Sequence, residues 1–402
     1  MARKPRCNNI SANEITIAHV WTQTVQQMFL LGKDSCTNQD YSHRKDWIID
    51  IMSHQSMFMA IDILRFAIMD NHVHFLLRTR PDVVQSWSDE EVAWSYLSLC
   101  PKYKRRRKVN GKWEYEAQEP SECDIRDLVN DQKKLKKVRE KLSSLSFWMQ
   151  LLKQRVAKRA NAEVQDGEVC KGAFWKGRFE MTVINTRAHM LTCSVYIDLN
   201  AYRARMTDSL MGYQYTSIYM QLKEALNAML LSGDLVATQE HPMGAFPESG
   251  MLSPIEFRET GNEELSSLEA ESSAVQTVES QGLEARKRAR RKRLRCSDTG
   301  FLEITSKQYC ELVEWSKEQL GAQRRGVVSG LEHAVVSSYG MSSAVWNDRL
   351  LHFRKMYREE AGASRRKLME GFCGEVTAAM YLALSDTEFK RQGLVDGEGN
   401  LG

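Results

Sequence analysis

The sequence predicts an α+β protein, an antiparallel sheet with helices packed on one face, followed by a separate all-helical part. Three observations predict it. Apolar β-branched segments and segments of helical periodicity follow one another as β-α-β-β and, after a long charged interruption, as β-α. The turn pair Asp70-Asn71 stands between two apolar runs, as in a hairpin. A Glu/Ser/Gln-rich stretch and then a basic run divide this first part from a second stretch of helical periodicity.

Residues 15–30 are rich in β-branched and aromatic side chains and read as a strand. From Asp40 to Ser53, Trp47, Ile48, Ile51 and Met52 recur at helical spacing. Met59–Met69 and His72–Arg78 read as the two strands of the hairpin. Residues 89–165 read as mostly helical, with charged, Gly-containing loop from Lys102 to Pro120. Residues 122–160 form one long charged helical stretch, whose buried stripe is Leu142, Leu145, Trp148, Met149, Leu152 and Val156. Phe179–Asn185 is a short strand, and Thr186–Ala204 a helix capped by Thr186. This order suits a ferredoxin-like or RRM-like sheet bearing a helical insert over about 82–165. The predicted organisation is a sheet-bearing domain over 1–220, a connector over 221–260 and a linker over 261–298. A helical C-terminal domain follows over 299–395, on the periodicity of Tyr309, Leu312, Val313, Trp315, Leu350, Phe353, Tyr357, Phe372, Val376 and Met380.

With 402 residues the chain is long enough for two cores. No apolar run approaches the roughly 18–20 residues that a bilayer span needs, and the basic N-terminus has no apolar segment behind it. Nine scattered cysteines without a C-x-x-C pair argue against a zinc ribbon and for free thiols in a reducing compartment. The expectation is therefore a cytoplasmic protein without membrane attachment. The net charge of +4 is modest, but its distribution is not even. Lys102–Lys108 reads K-Y-K-R-R-R-K, Lys133–Arg139 reads K-K-L-K-K-V-R, and Arg286–Arg295 reads R-K-R-A-R-R-K-R-L-R. Runs this dense suit phosphate neutralisation, and any one of them is equally a solvated helix face.

The chemistry concentrates in two places. In Asn71-His72-Val73-His74-Phe75-Leu76-Leu77, strand alternation puts His72 and His74 on one face, where two imidazoles can hold one divalent cation. Taken alone, H-x-H fits two ordinary surface or core histidines as well. In Tyr196-Ile197-Asp198-Leu199-Asn200, the phenol and the amide are four positions apart on one helix face. That pair suits a tyrosine nucleophile beside a metal ligand, and equally a tyrosine packed between helix and sheet. Trp175, Lys176 and Arg178, within F-W-K-G-R-F, combine a stacking ring with cations, as single-strand binding requires.

The combination of N-H-V-H-F-L-L, F-W-K-G-R-F and L-T-C-S-V-Y-I-D-L-N, in that order, resembles the REP-associated tyrosine transposases. These form part of the single-tyrosine HUH transposase superfamily of bacterial insertion sequences. The resemblance covers about residues 1–220. It implies that His72 and His74 hold Mg²⁺ or Mn²⁺ with Asn200 as a third ligand, and that Tyr196 is the nucleophile. It further implies cleavage of single-stranded DNA beside a hairpin, leaving a 5′-phosphotyrosine and a free 3′-hydroxyl, by a monomer or homodimer. The family's N-P-V-R-A-G run is replaced here by Asn200-Ala201-Tyr202-Arg203-Ala204-Arg205. Expected DNA contacts are Trp175, Lys176 and Arg178, then Lys104, Arg105, Arg106 and Arg107, then Arg288, Arg290 and Arg291. The alternatives are a non-catalytic nucleic-acid-binding protein on an RRM-like sheet, or a metal-dependent hydrolase that uses the histidines without the tyrosine.

Overall fold

The computed structural model describes residues 14–34, 38–109, 112–165, 168–169, 172–232, 250–257, 283–324 and 332–353. Its centre is a four-stranded antiparallel sheet of β1 (Ile17–Gln23), β2 (Ile61–Ile68), β3 (His72–Thr79) and β8 (Glu180–Val183), ordered β2-β3-β1-β8. The hairpin between β2 and β3 turns at Asp70-Asn71, where Met69 N–H donates to the His72 carbonyl at 2.8 Å. β1 is shorter than expected. It stops at Gln23, and Gln26 and Gln27 take φ of 51° and 59°, which no strand tolerates.

Alternation sorts each strand into two faces. Ala18, Val20, Val73, Phe75 and Leu77 join a core with Trp47, Ile48 and Met52 of α1 (His43–Phe58) and Trp148, Met149 and Leu152 of α6 (Leu145–Asn161). The opposite face is covered too, which corrects the expectation of helices on one side. Leu64, Ala67 and Leu76 share a second core with α7 (Arg187–Asp198), α11 (Ser306–Arg324) and α13 (Ser343–Leu351). The strands are buried along nearly their whole length, so both faces need cover. A bulge between Ile63 and Arg65 turns Leu64 and the Arg65 guanidinium toward this second layer.

The insert between β3 and β8 carries α2 (Pro81–Gln85) and α3 (Asp89–Leu99). The segment expected as loop then forms a hairpin of β4 (Lys104–Val109) and β5 (Lys112–Ala117). Its register sets Arg105 opposite Glu116 and Arg107 opposite Glu114. The single charged helix expected over 122–160 is three helices: α4 (Glu122–Asn130), α5 (Gln132–Leu142) and α6. Asp131 and Ser144 cap the second and third, their side chains accepting from Lys134 N and Phe147 N, so the polar residues restart the helix instead of continuing it. A two-residue ladder, β6 (Val164–Gln165) with β7 (Glu168–Val169), ends the insert.

After α7 come α8 (Asn200–Arg203) and α9 (Ser217–Ser232), and α9 runs through the expected boundary at 220. The expected linker is partly built as well. Its basic end is α10 (Leu283–Arg293), and residues 294–302 are tied to the sheet. Asp62, inside β2, pairs with Arg78 at 2.7 Å and accepts hydrogen bonds from Cys296 and Ser297. Arg78 also donates to the carbonyls of Thr299 and Gly300. Among the described residues, the helices beyond, α11, α12 (Ala334–Ser338) and α13, share the sheet's second core. Tyr357, Phe372, Val376 and Met380, expected in that domain, lie outside the described residues. Among the described residues no helix is long and apolar enough to cross a membrane.

Candidate active site

His72 and His74 lie on the face of β3 that looks toward α7. Their rings are 5.0 Å apart and nearly perpendicular. His74 is fully buried and His72 half-buried, with His72 Nδ1 2.7 Å from Asn71 Oδ1. β1 lies beside β3 with Trp21 opposite His74 and His19 opposite Leu76, which brings a third imidazole to the same face. His19 Nε2 is 2.9 Å from His74 Nδ1. Nothing in the sequence had singled out His19. The alternation of Ala18 and Val20 against His19 and Trp21 would have placed it on the histidine face once β1 was known to pair with β3.

α7 crosses this face. It is buried from Met190 to Asp198, as expected for a helix clamped between a sheet and further helices. Its buried hydroxyls are satisfied locally, Thr192 and Ser194 donating at 2.7 Å to carbonyls four residues back. Tyr196 projects from it to a ring-centroid distance of 5.8 Å from His74 and 6.2 Å from His19. The three residues named from the sequence as the reactive centre, His72, His74 and Tyr196, are thus gathered in one place.

Two further residues complete the surroundings of Tyr196. Phe353, just beyond α13, stacks on its ring at 4.1 Å, and the Arg203 guanidinium carbon stands 4.5 Å from its centroid. Tyr196 is consequently only 4% exposed. Asn200 belongs to α8, since the expected continuous helix breaks at Leu199. Its side chain is buried, and its amide nitrogen makes no hydrogen bond.

Asp198 anchors the C-terminal end of α7. It accepts from Ser217 Oγ (2.5 Å), Tyr309 OH (2.6 Å) and Ile218 N (3.1 Å), and pairs with Arg65 at 3.3 Å. Burial pushes its carboxyl above the usual range, against the pull of Arg65 and these donors. Burial and the neighbouring Asp198 likewise push the Tyr309 phenol up. These polar contacts fix α7, and hence Tyr196, against β2, α9 and α11.

Among the described residues no three His, Cys, Asp or Glu side chains form a ready metal cage. The donors on offer are the imidazoles; the unused atom of Asn200 is its amide nitrogen, which donates hydrogen bonds and does not ligate a cation. Such a set leaves coordination positions for water or phosphate oxygens, and its nitrogens suit Mn²⁺ better than Mg²⁺. In that sense the residues present fit a divalent cation.

The expected DNA contacts are dispersed. Trp175 is 8% exposed and belongs to the first core, its Nε1 donating to the Lys153 carbonyl at 3.0 Å, so its face is not open to a base. Lys176 and Arg178 beside it are exposed. Arg105 is exposed, and the side chains of Lys104, Arg106 and Arg107 lie outside the described set. In α10, Arg290 sits 3.2 Å from the Trp87 ring centroid and donates to Ser95 Oγ, which gives it a packing role. Arg288 and Arg291 are exposed, and Arg291 pairs with Glu119 just after β5. The basic helix therefore lies beside α3 in the first core, across the sheet from the histidines.

No family model and no curated protein matches the chain. One solved structure, a REP-associated tyrosine transposase bound to a REP hairpin, is similar at 10% identity and a TM-score of 0.30. The match covers 56% of this chain and 88% of that one.

Proposed function

We propose that the protein is a metal-dependent single-strand DNA endonuclease and strand transferase acting through a 5′-phosphotyrosine intermediate. The observation that carries this reading is the convergence of His72, His74 and Tyr196 on one face of the sheet, from elements more than a hundred residues apart in the chain. The strand order β2-β3-β1-β8 also supports a ferredoxin-like sheet as the frame.

In this reading His72 and His74, with Asn200, hold Mg²⁺ or Mn²⁺, whose chemistry is to stabilise charge on the scissile phosphate. The Tyr196 oxygen attacks phosphorus and the bond to the 3′ oxygen breaks. The phenolic proton goes to solvent, and the leaving 3′ oxygen takes up a proton to become a free hydroxyl. The reverse attack by a 3′-hydroxyl restores the phosphodiester and frees the tyrosine. Arg203 supplies positive charge beside the phenol. The partner is single-stranded DNA next to a hairpin, held in part by the exposed cations Lys176, Arg178, Arg288 and Arg291. The test is incubation with hairpin-containing single-stranded DNA taken from beside its own gene. Cleavage with Mn²⁺ that EDTA abolishes supports the reading, and metal-independent cleavage removes the metal from it.

A second reading, a nucleic-acid-binding protein without catalysis, is favoured by one observation: Phe353 covers Tyr196. It predicts binding of the same DNA with no covalent product.

A further inference from the structure

We propose that His19 is a positioning residue that fixes the tautomer of His74 and so presents the His74 Nε2 lone pair to a divalent cation. The inference rests on the metal-site reading above.

The geometry of the two rings carries it. Their centroids are 5.1 Å apart, their planes differ by 15°, and their facing nitrogens are 2.9 Å apart. Nitrogens that close, with centroids that far apart and planes so nearly parallel, mean that the rings meet edge to edge in almost one plane. That is where the ring N–H and the ring lone pair both point. The contact is therefore an N–H···N hydrogen bond between two buried imidazoles, and it needs one proton and one lone pair on the facing atoms.

Two arrangements satisfy it. In one, His74 Nδ1–H donates to His19 Nε2, and the neutral His74 ring keeps its lone pair on Nε2. In the other, His19 Nε2–H donates to His74 Nδ1, and Nε2 of a neutral His74 carries the proton. Only the first lets His74 act as a metal ligand. It follows the general pattern in which a ligating histidine donates its second N–H to a neighbour that holds the ring in orientation. His19 takes that neighbour's place here as an acceptor, itself protonated on Nδ1. Its own place is set by the β1–β3 register, which puts it diagonal to His74 on the same face, and by edge contacts to Phe353 and Tyr196.

The experiment uses the full-length protein labelled with ¹⁵N in its histidine rings, with the His74 signals assigned by their loss in His74→Gln. Wild type is expected to show His74 protonated on Nδ1 and bare on Nε2. His19→Phe, which fills the space without an acceptor, is expected to lose that preference. His19→Gln, whose amide oxygen accepts, is expected to keep it. In parallel, Mn²⁺ titration followed by electron paramagnetic resonance is expected to show binding weakened on the order of 10–100-fold in His19→Phe and largely retained in His19→Gln. A wild-type His74 protonated on Nε2 overturns the proposal, as does a His19→Phe variant with unchanged tautomer and unchanged Mn²⁺ affinity. Should His19→Phe not fold, the wild-type and His19→Gln spectra still decide the tautomer. The expected tautomer without any Mn²⁺ binding in wild type overturns the metal site and, with it, the purpose assigned to His19, while leaving the hydrogen bond as drawn.

Discussion

Phe353 lies flat on Tyr196, with ring centroids 4.1 Å apart and planes 14° apart. A residue expected only as part of a distant helical domain thus closes over the proposed nucleophile. Phe353→Ala should cost about 3–5 kcal/mol of stability, as truncating a buried aromatic side chain generally does. Under the nuclease reading it should also raise the initial rate of covalent adduct formation per folded molecule, because the phenol becomes accessible. Thermal unfolding and an adduct time course on the same preparation check both. A slower rate would mean that Phe353 holds Tyr196 in its working position.

Asp62 gives a prediction about acid. Its burial raises the carboxyl, but Arg78, Arg80 and hydrogen bonds from Cys296 and Ser297 outweigh that, and the net position is below the usual carboxylate range. A carboxyl lowered in the folded state contributes stability that is present above its unfolded pKa of about 3.9 and is lost as pH falls through the folded value. Asp62→Asn should therefore destabilise the protein by ~3 kcal/mol near neutrality, where it leaves buried arginines short of a partner. The gap to wild type should narrow below about pH 4. Urea unfolding midpoints across that range provide the measurement, and a gap independent of pH would contradict the assignment.

The metal site makes a separable claim. His72→Ala and His74→Ala should each abolish cleavage while leaving DNA affinity within about threefold, since neither imidazole is needed for phosphate contacts. Filter binding in EDTA and cleavage in Mn²⁺ report the two properties independently. Equal losses of binding and cleavage would make the histidines structural.

The basic helix needs point substitutions, because deleting residues 286–295 would also remove Arg290 from Trp87 and Arg286 from Glu91. Arg288→Ala and Arg291→Ala remove exposed side chains, the second also giving up its ion pair with Glu119 and its place over the Trp94 ring. For every phosphate that a substitution leaves unneutralised, the log–log salt dependence of single-strand binding should flatten by about 0.7. An unchanged slope would make α10 a structural strap.

Much of the site was legible because strand alternation and motif order are local properties. His72 and His74 share a face wherever β3 is placed, and the capping residue Thr186 marks the start of the tyrosine helix, its side chain accepting from His189 N. What depends on distant partners was not legible. His19 gains its meaning only from strand pairing, and Phe353 only from the folding back of the C-terminal helices. Trp175 read as a stacking platform because sequence does not show what fills the space against a ring. The β4–β5 hairpin looked like charged loop because its ladder pairs two segments, and neither segment alone carries an apolar alternation that marks a strand. The basic run looked like linker since its anchors, Trp87, Glu91 and Ser95, are nearly two hundred residues away.

The proposed reaction joins the Tyr196 oxygen covalently to DNA. Tyr196→Phe removes a single atom, so the fold, the stack with Phe353 and DNA affinity should persist while cleavage and adduct both vanish. Tyr202, in α8, is the nearest rival in sequence. Single-stranded DNA labelled at its 3′ end, incubated with Mn²⁺ and run on a denaturing gel, leaves label on any protein joined to the 5′ side of the cut. A labelled protein band is expected for wild type and for Tyr202→Phe, and none for Tyr196→Phe. A band that persists in Tyr196→Phe and disappears in Tyr202→Phe would contradict the role of Tyr196.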